Sequence, residues 1–120
     1  MTFLKYKGLY LTLVIASLIL FLSLQPPGEG VTKLLVSDKL LHFIAYGVMV
    51  IPVSLERIFP QFLVFIIALA YGGFIELFQP FWGRETDIMD MWANIAGLIF
   101  GVLIARGIVF IFKIQPTNIR

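Results

Sequence analysis

The chain has 120 residues, of which 60% are hydrophobic and 13% charged, with 9 Lys and Arg set against 7 Asp and Glu. That length suits one domain, and that composition excludes an ordinary soluble globular protein and indicates a membrane protein. A net charge of +2 with no long basic run leaves no nucleic-acid footprint but suits contact with anionic lipid; the absence of cysteine excludes disulfides, thiolate metal sites and cysteine nucleophiles.

In chain order, Lys5 and Lys7 precede an apolar run from Leu9 to Leu24 broken only by Thr12, Ser17 and Ser23. A secretory signal has the same charge order, but the run is long for one and the following QPPGEG lacks a small-x-small cleavage site. A retained first membrane helix over about 7–24 is therefore expected. The prolines and glycines of Gln25–Gly30 end it in a loop, and the short apolar Val31–Val36 suits the membrane interface.

A second span is expected over about 38–55, kinked late by Pro52. After a turn at Glu56–Pro60, a third covers about 61–79, apolar except for Tyr71, Glu76 and Gln79, and Pro80 ends it. The fourth runs over about 90–113, its start at Asp87 or Asp90. Each approximates the roughly 20 residues that cross a hydrocarbon core of about 30 Å. The expected fold is an all-α membrane protein: one domain over 1–120, a bundle of four transmembrane helices with a polar cluster at the extracytoplasmic face.

That orientation follows from the cations. With a cytoplasmic N-terminus, Lys5, Lys7, Arg57, Arg106, Lys113 and Arg120 lie inside and Lys33, Lys39 and Arg84 outside, the bias of the positive-inside rule. Both termini are then cytoplasmic in a multi-pass protein of the cell membrane. Trp82 and Trp92 flank the outer loop as interfacial anchors.

The polar residues gather at the same face. Asp38, Lys39 and His42 begin the second helix, with Asp38, His42 and Tyr46 four apart on one stripe. Glu76 and Gln79 end the third helix. Asp87, Asp90, Asn94, Gly97 and Gly101 fall at steps of three and four on the fourth, preceded by Arg84. An acid inside an apolar span costs on the order of 2–3 kcal/mol, so Glu76 should be paired or functional, with Arg84 its expected partner. Simpler roles stand beside these. Asp38 and Asp87 suit helix capping, Lys39 snorkelling, Tyr46 packing, and Gly97 and Gly101 close helix crossing.

The stretches SDKLLHFIAYG and FIELFQPFWGRETDIMDMWANIAGLIFG resemble the VanZ-like family of small bacterial membrane proteins. The family pattern is Asp-Lys-x-x-His-Phe-x-x-Tyr, then Glu-x-x-Gln, then Arg-x-x-Asp-x-x-Asp-x-x-x-Asn-x-x-Gly-x-x-x-Gly. Asp38, Lys39, His42, Phe43, Tyr46, Glu76, Gln79, Arg84, Asp87, Asp90, Asn94, Gly97 and Gly101 match it, and the resemblance covers roughly Ser37 to Arg106. It implies an association with low-level resistance to the glycopeptide antibiotic teicoplanin, without a defined biochemical activity.

Three functions fit these residues. In the first, the protein binds or modifies the head group of an envelope lipid or lipid-linked cell-wall precursor through Asp38, Lys39, Tyr46, Gln79, Arg84, Asp87 and Asn94. In the second, it is a membrane-embedded hydrolase or transferase with His42 as acid or base and Glu76, Asp87 or Asp90 orienting it. In the third, the network only holds the bundle together. A divalent metal on His42 with Asp38, Asp87, Asp90 or Glu76 has suitable donors but no dedicated spacing, so no metal and no cofactor is assigned. No nucleic-acid partner is indicated.

Overall fold

The computed structural model describes residues 6–25, 38–83 and 87–116, with Asp38 as backbone only. The loop expected after Gln25, the segment Val31–Val36, Arg84 and Glu85 lie outside the described residues. The described chain is all-α: α1 (Lys7–Ser23), α2 (Asp38–Glu56), α3 (Gln61–Phe78), a 3-10 turn (Gln79–Trp82) and α4 (Ile88–Phe112). Among the described residues α2, α3 with its 3-10 extension, and α4 are long and apolar enough to cross a membrane. The 17 residues of α1 rise about 25 Å, a little less than the core. The molecule is 45 Å along its longest axis, which matches a bilayer with its head groups at about 40–45 Å.

Its sides are apolar. Phe110 is 84% exposed, Phe62 77%, and Val14 and Phe21 on α1, Phe74 on α3 and Leu103 on α4 are open too. Apolar exposure on this scale is costly against water and neutral against lipid tails. Helix association must therefore come from close packing and hydrogen bonds rather than from apolar burial.

Both devices are present. Helices α2 and α4 run parallel and touch backbone to backbone. A Cβ on Gly97 would strike the Phe43 carbonyl oxygen, and one on Gly101 would strike the Gly47 carbonyl oxygen. A Cβ on Gly47 would in turn lie 3.1 Å from the carbonyl oxygen of Gly97. Three glycines thus let the two helices approach over a full turn, which fixes the height of Asn94 against His42.

Helix α1 joins through hydrogen bonds. Pro52 has no amide hydrogen and sits inside α2, where its ring opens the backbone ladder. The Thr12 hydroxyl fills the breach, donating to the Met49 carbonyl at 2.7 Å and accepting from the Val53 amide at 3.1 Å. One turn further, the buried Glu56 carboxylate accepts from the Gly8 and Leu9 amides at 2.7 and 3.0 Å. First-turn amides lack partners within their own helix, so Glu56 caps α1 from across the interface. Gly8 leaves room for it, since a Cβ there would meet the Pro52 carbonyl oxygen at 2.5 Å and Glu56 Cδ at 3.1 Å.

At the other end of α1 the Tyr71 hydroxyl donates to the Ala16 carbonyl, and Gln79 Nε2 donates to the Ser23 carbonyl at 3.1 Å. These bonds set α1 parallel to α3 and antiparallel to α2.

Candidate functional site

Most of the remaining buried polar side chains gather where α2 and α4 begin and α3 ends. Helix α4 starts at Ile88 because Asp87, in extended conformation, is its N-cap: Oδ1 accepts from the Met89 amide at 2.9 Å. That start turns Asp90 and Asn94 toward α2, where a helical step of three or four brings Lys39, His42 and Tyr46 onto one stripe.

The pairings run from the surface inward. Lys39 Nζ lies 2.6 Å from Asp87 Oδ2 and 2.8 Å from Asp90 Oδ1. The Lys39 and Asp87 side chains are each 44% exposed, whereas Asp90 is 4% exposed, so the ammonium bridges an open rim and a buried floor. Its hydrogen bond, aided by the one from the Met89 amide, holds the Asp87 carboxyl below the usual carboxylate range.

Beneath the rim, His42 Nδ1 lies 2.8 Å from Asn94 Oδ1. Asn94 presents its carbonyl oxygen there, so Nδ1 donates, and Nε2 is the ring nitrogen turned toward Asp90. Nε2 lies 3.7 Å from Asp90 Oδ2, beyond hydrogen-bond range. Glu76 closes the cluster from α3, and one donor atom each of His42, Glu76 and Asp90 falls within 4.8 Å of the others. All three residues are buried.

Tyr46 forms the base, its ring parallel to that of His42 at a centroid separation of 6.3 Å. The buried Tyr46 Oη and Asn94 Nδ2 have no hydrogen-bond partner among the described residues. Gly72 is pressed against both, because a Cβ there would lie 3.1 Å from Tyr46 Cε2 and 3.2 Å from Asn94 Nδ2. A Cβ there would require the Tyr46 ring and the Asn94 amide to give by a few tenths of an ångström.

Of the residues singled out in the sequence, the structure brings Lys39, His42, Tyr46, Glu76, Asp87, Asp90 and Asn94 into this cluster. Gln79 is buried at its edge, with Nε2 committed to α1 and Oε1 unpartnered among the described residues. Gly97 and Gly101 lie at the α2–α4 contact. Arg84 and the Asp38 side chain lie outside the described residues. Sequence reasoning passed over Gly47, a small residue facing the glycine-rich face of α4, and that is the signal that marks it.

Chemically, the arrangement offers a half-exposed ammonium–carboxylate rim over a buried imidazole and two carboxylates. It can hold a polar or charged group at one end of an otherwise apolar body. No curated protein and no solved structure matches the chain. The family model described as VanZ/LLP1 matches residues 8–112, and so takes in all four helices. The chain belongs to the VanZ/LLP1 family.

Proposed function

We propose that the protein engages the polar head group of an envelope lipid or lipid-linked cell-wall precursor at the outer face of the cell membrane, and that any contribution to glycopeptide resistance runs through that contact. The observation that carries this reading is the convergence of His42, Glu76 and Asp90 from three helices beneath the open Lys39–Asp87 rim. Buried ionisable groups are costly in a membrane protein, and gathering them at one end places that cost where a head group resides. Lys39 donates to Asp87 and lies 2.8 Å from Asp90 Oδ1, and its half-exposed ammonium has donor capacity for a guest. Arg84, next to Gly83 at the end of the 3-10 turn, adds a second cation in sequence.

A second feature supports a lipid as the guest. A half-open apolar groove of about 310 Å³ runs between α1, α2 and α3, lined by Leu9, Leu13, Met49, Val53, Leu63 and Ile67 among others. Tyr71 borders it, and its ring lies 6.4 Å from that of Tyr46 at the base of the polar cluster. An acyl chain in the groove and a head group at the rim would belong to one amphiphile.

The test is direct binding of phosphatidylglycerol and of a polyprenyl pyrophosphate to purified protein, with phosphatidylcholine as control. Lys39→Ala and Arg84→Ala should each weaken the anionic lipids at least tenfold. Equal binding by both variants and the wild type would remove the reading. The outward orientation is tested separately with a membrane-impermeant thiol reagent, since no native cysteine interferes. Lys33→Cys and Glu85→Cys should react from outside intact cells, and Arg57→Cys should not.

A further inference from the structure

We infer that His42, Glu76 and Asp90 form a binding site for one first-row divalent cation of the Zn²⁺ or Mn²⁺ class. The sequence spacing lacks a metal motif because the three ligands come from three helices, and only the fold brings them together.

Four observations carry the inference. The first is proximity: one donor atom of each residue lies within 4.8 Å of the others, and all three residues are buried. Metal bonds of about 2.1 Å in tetrahedral geometry place donor atoms about 3.4 Å apart, so side-chain rotations that draw the donors together by up to about 1.4 Å would close the set. The second is the 3.7 Å gap between His42 Nε2 and Asp90 Oδ2. It is too long for a hydrogen bond and close to the separation of two ligands on a common ion.

The third observation is how the imidazole is held. Metal-ligating histidines characteristically donate their second ring N–H to a carbonyl or carboxylate, which fixes the tautomer and turns the other nitrogen toward the ion. Asn94 Oδ1, 2.8 Å from Nδ1, does this for His42. Asp90 is divided in the same way: Oδ1 meets the Lys39 ammonium at 2.8 Å, and Oδ2 faces the imidazole. Lys39 therefore occupies an outer position that leaves one carboxylate oxygen for the ion.

The fourth lies at the base. Tyr46 Oη and Asn94 Nδ2 are fully buried polar atoms without hydrogen-bond partners among the described residues, on side chains that stack on or bond to His42. A water carried by the ion is a natural partner for such atoms, because cations with three protein ligands keep a further position for water or substrate. The donor set of one imidazole and two carboxylates suits a borderline first-row cation better than Ca²⁺, which prefers oxygen ligands alone. The half-exposed Lys39–Asp87 rim gives the ion its entry path.

The inference goes beyond the lipid reading and is measured without lipid. Purified protein in detergent is treated with chelator, exchanged into chelator-free buffer and titrated with ZnCl₂ and MnCl₂ by calorimetry, with CaCl₂ as control. Bound metal is then counted by elemental analysis. The wild type should bind about one equivalent of Zn²⁺ or Mn²⁺, and its melting temperature should rise with the metal. His42→Ala, Glu76→Gln and Asp90→Asn should each weaken binding at least a hundredfold. Lys39→Met removes a competing cation and should bind metal as tightly as the wild type or tighter, although it breaks the rim ion pair. Because that variant keeps all three ligands, it separates ligation from a purely structural network. Substoichiometric uptake by the wild type, uptake that the three ligand variants leave unchanged, or loss of binding in Lys39→Met equal to that in His42→Ala would overturn the inference.

Discussion

Replacing Gly97 by alanine adds one methyl group at the point where α2 and α4 touch. The new Cβ would overlap the Phe43 carbonyl oxygen and lie 3.0 Å from its carbon and 3.1 Å from its Cα. These are backbone atoms, so no rotamer change relieves them. Carbon contacts settle at about 3.5–4.0 Å, and the helices must part by on the order of 0.5–1 Å. Overpacking of that kind costs about 1–3 kcal/mol. It also carries Asn94, three residues earlier on α4, away from His42. A 2.8 Å hydrogen bond lengthened by that much leaves the normal range. Gly107 is the matched control on the same helix: a Cβ there meets nothing within 4 Å, so alanine should be neutral or stabilise by up to about 1 kcal/mol through helix propensity. Denaturation in mixed detergent micelles, followed by circular dichroism, gives both values. The reasoning is refuted if Gly97→Ala and Gly107→Ala unfold at the same midpoint.

At the opposite end of the bundle, Glu56→Ala should cost about 1–3 kcal/mol in the same assay, because the Gly8 and Leu9 amides lose a charged acceptor. Glu56→Gln keeps one acceptor oxygen and should lose less; equal losses would contradict the capping role. For pH, the native Asp87 carboxyl lies below its unfolded value, so the unfolded chain takes up a proton first as the solution is acidified. The stabilisation is therefore complete above the ordinary carboxylate pKa of about 3.9 and is lost as pH falls toward the depressed native value. Thermal melts between pH 6 and pH 3, as ranges of about that width, should show Asp87→Asn with a shallower acid loss than the wild type; parallel curves would remove Asp87 from the account.

Helices were the most legible part of the sequence, because apolar runs punctuated by proline and glycine have one reading in a chain this hydrophobic. The boundary at α4 was less so. Asp87 and Asp90 are both plausible caps by spacing, and only the extended backbone of Asp87 with its bond to Met89 decides between them. The polar stripes on α2 and α4 could be drawn from a period of three and four. Their mutual height could not, since it depends on the glycine contact that sets Phe43 against Gly97. The anchoring of α1 was hidden for a similar reason. Thr12 looks like an isolated hydroxyl and Glu56 like a surface acid at a helix end, and each acquires its role only when α1 lies antiparallel to α2. The proximity of His42, Glu76 and Asp90 likewise belongs to tertiary structure, because no pair of them is closer than 14 residues in sequence.

The central claim is that these buried groups serve a guest rather than merely fastening helices. His42→Ala, Glu76→Gln, Arg84→Ala and Asp90→Asn, expressed in a glycopeptide-susceptible host, should be read for teicoplanin susceptibility and membrane abundance in the same cultures. The account predicts that the wild type confers protection and that this protection disappears in the variants while abundance stays within about twofold, a change worth less than about 0.5 kcal/mol. Protection that falls only in proportion to abundance would contradict it and leave the cluster as a structural clamp.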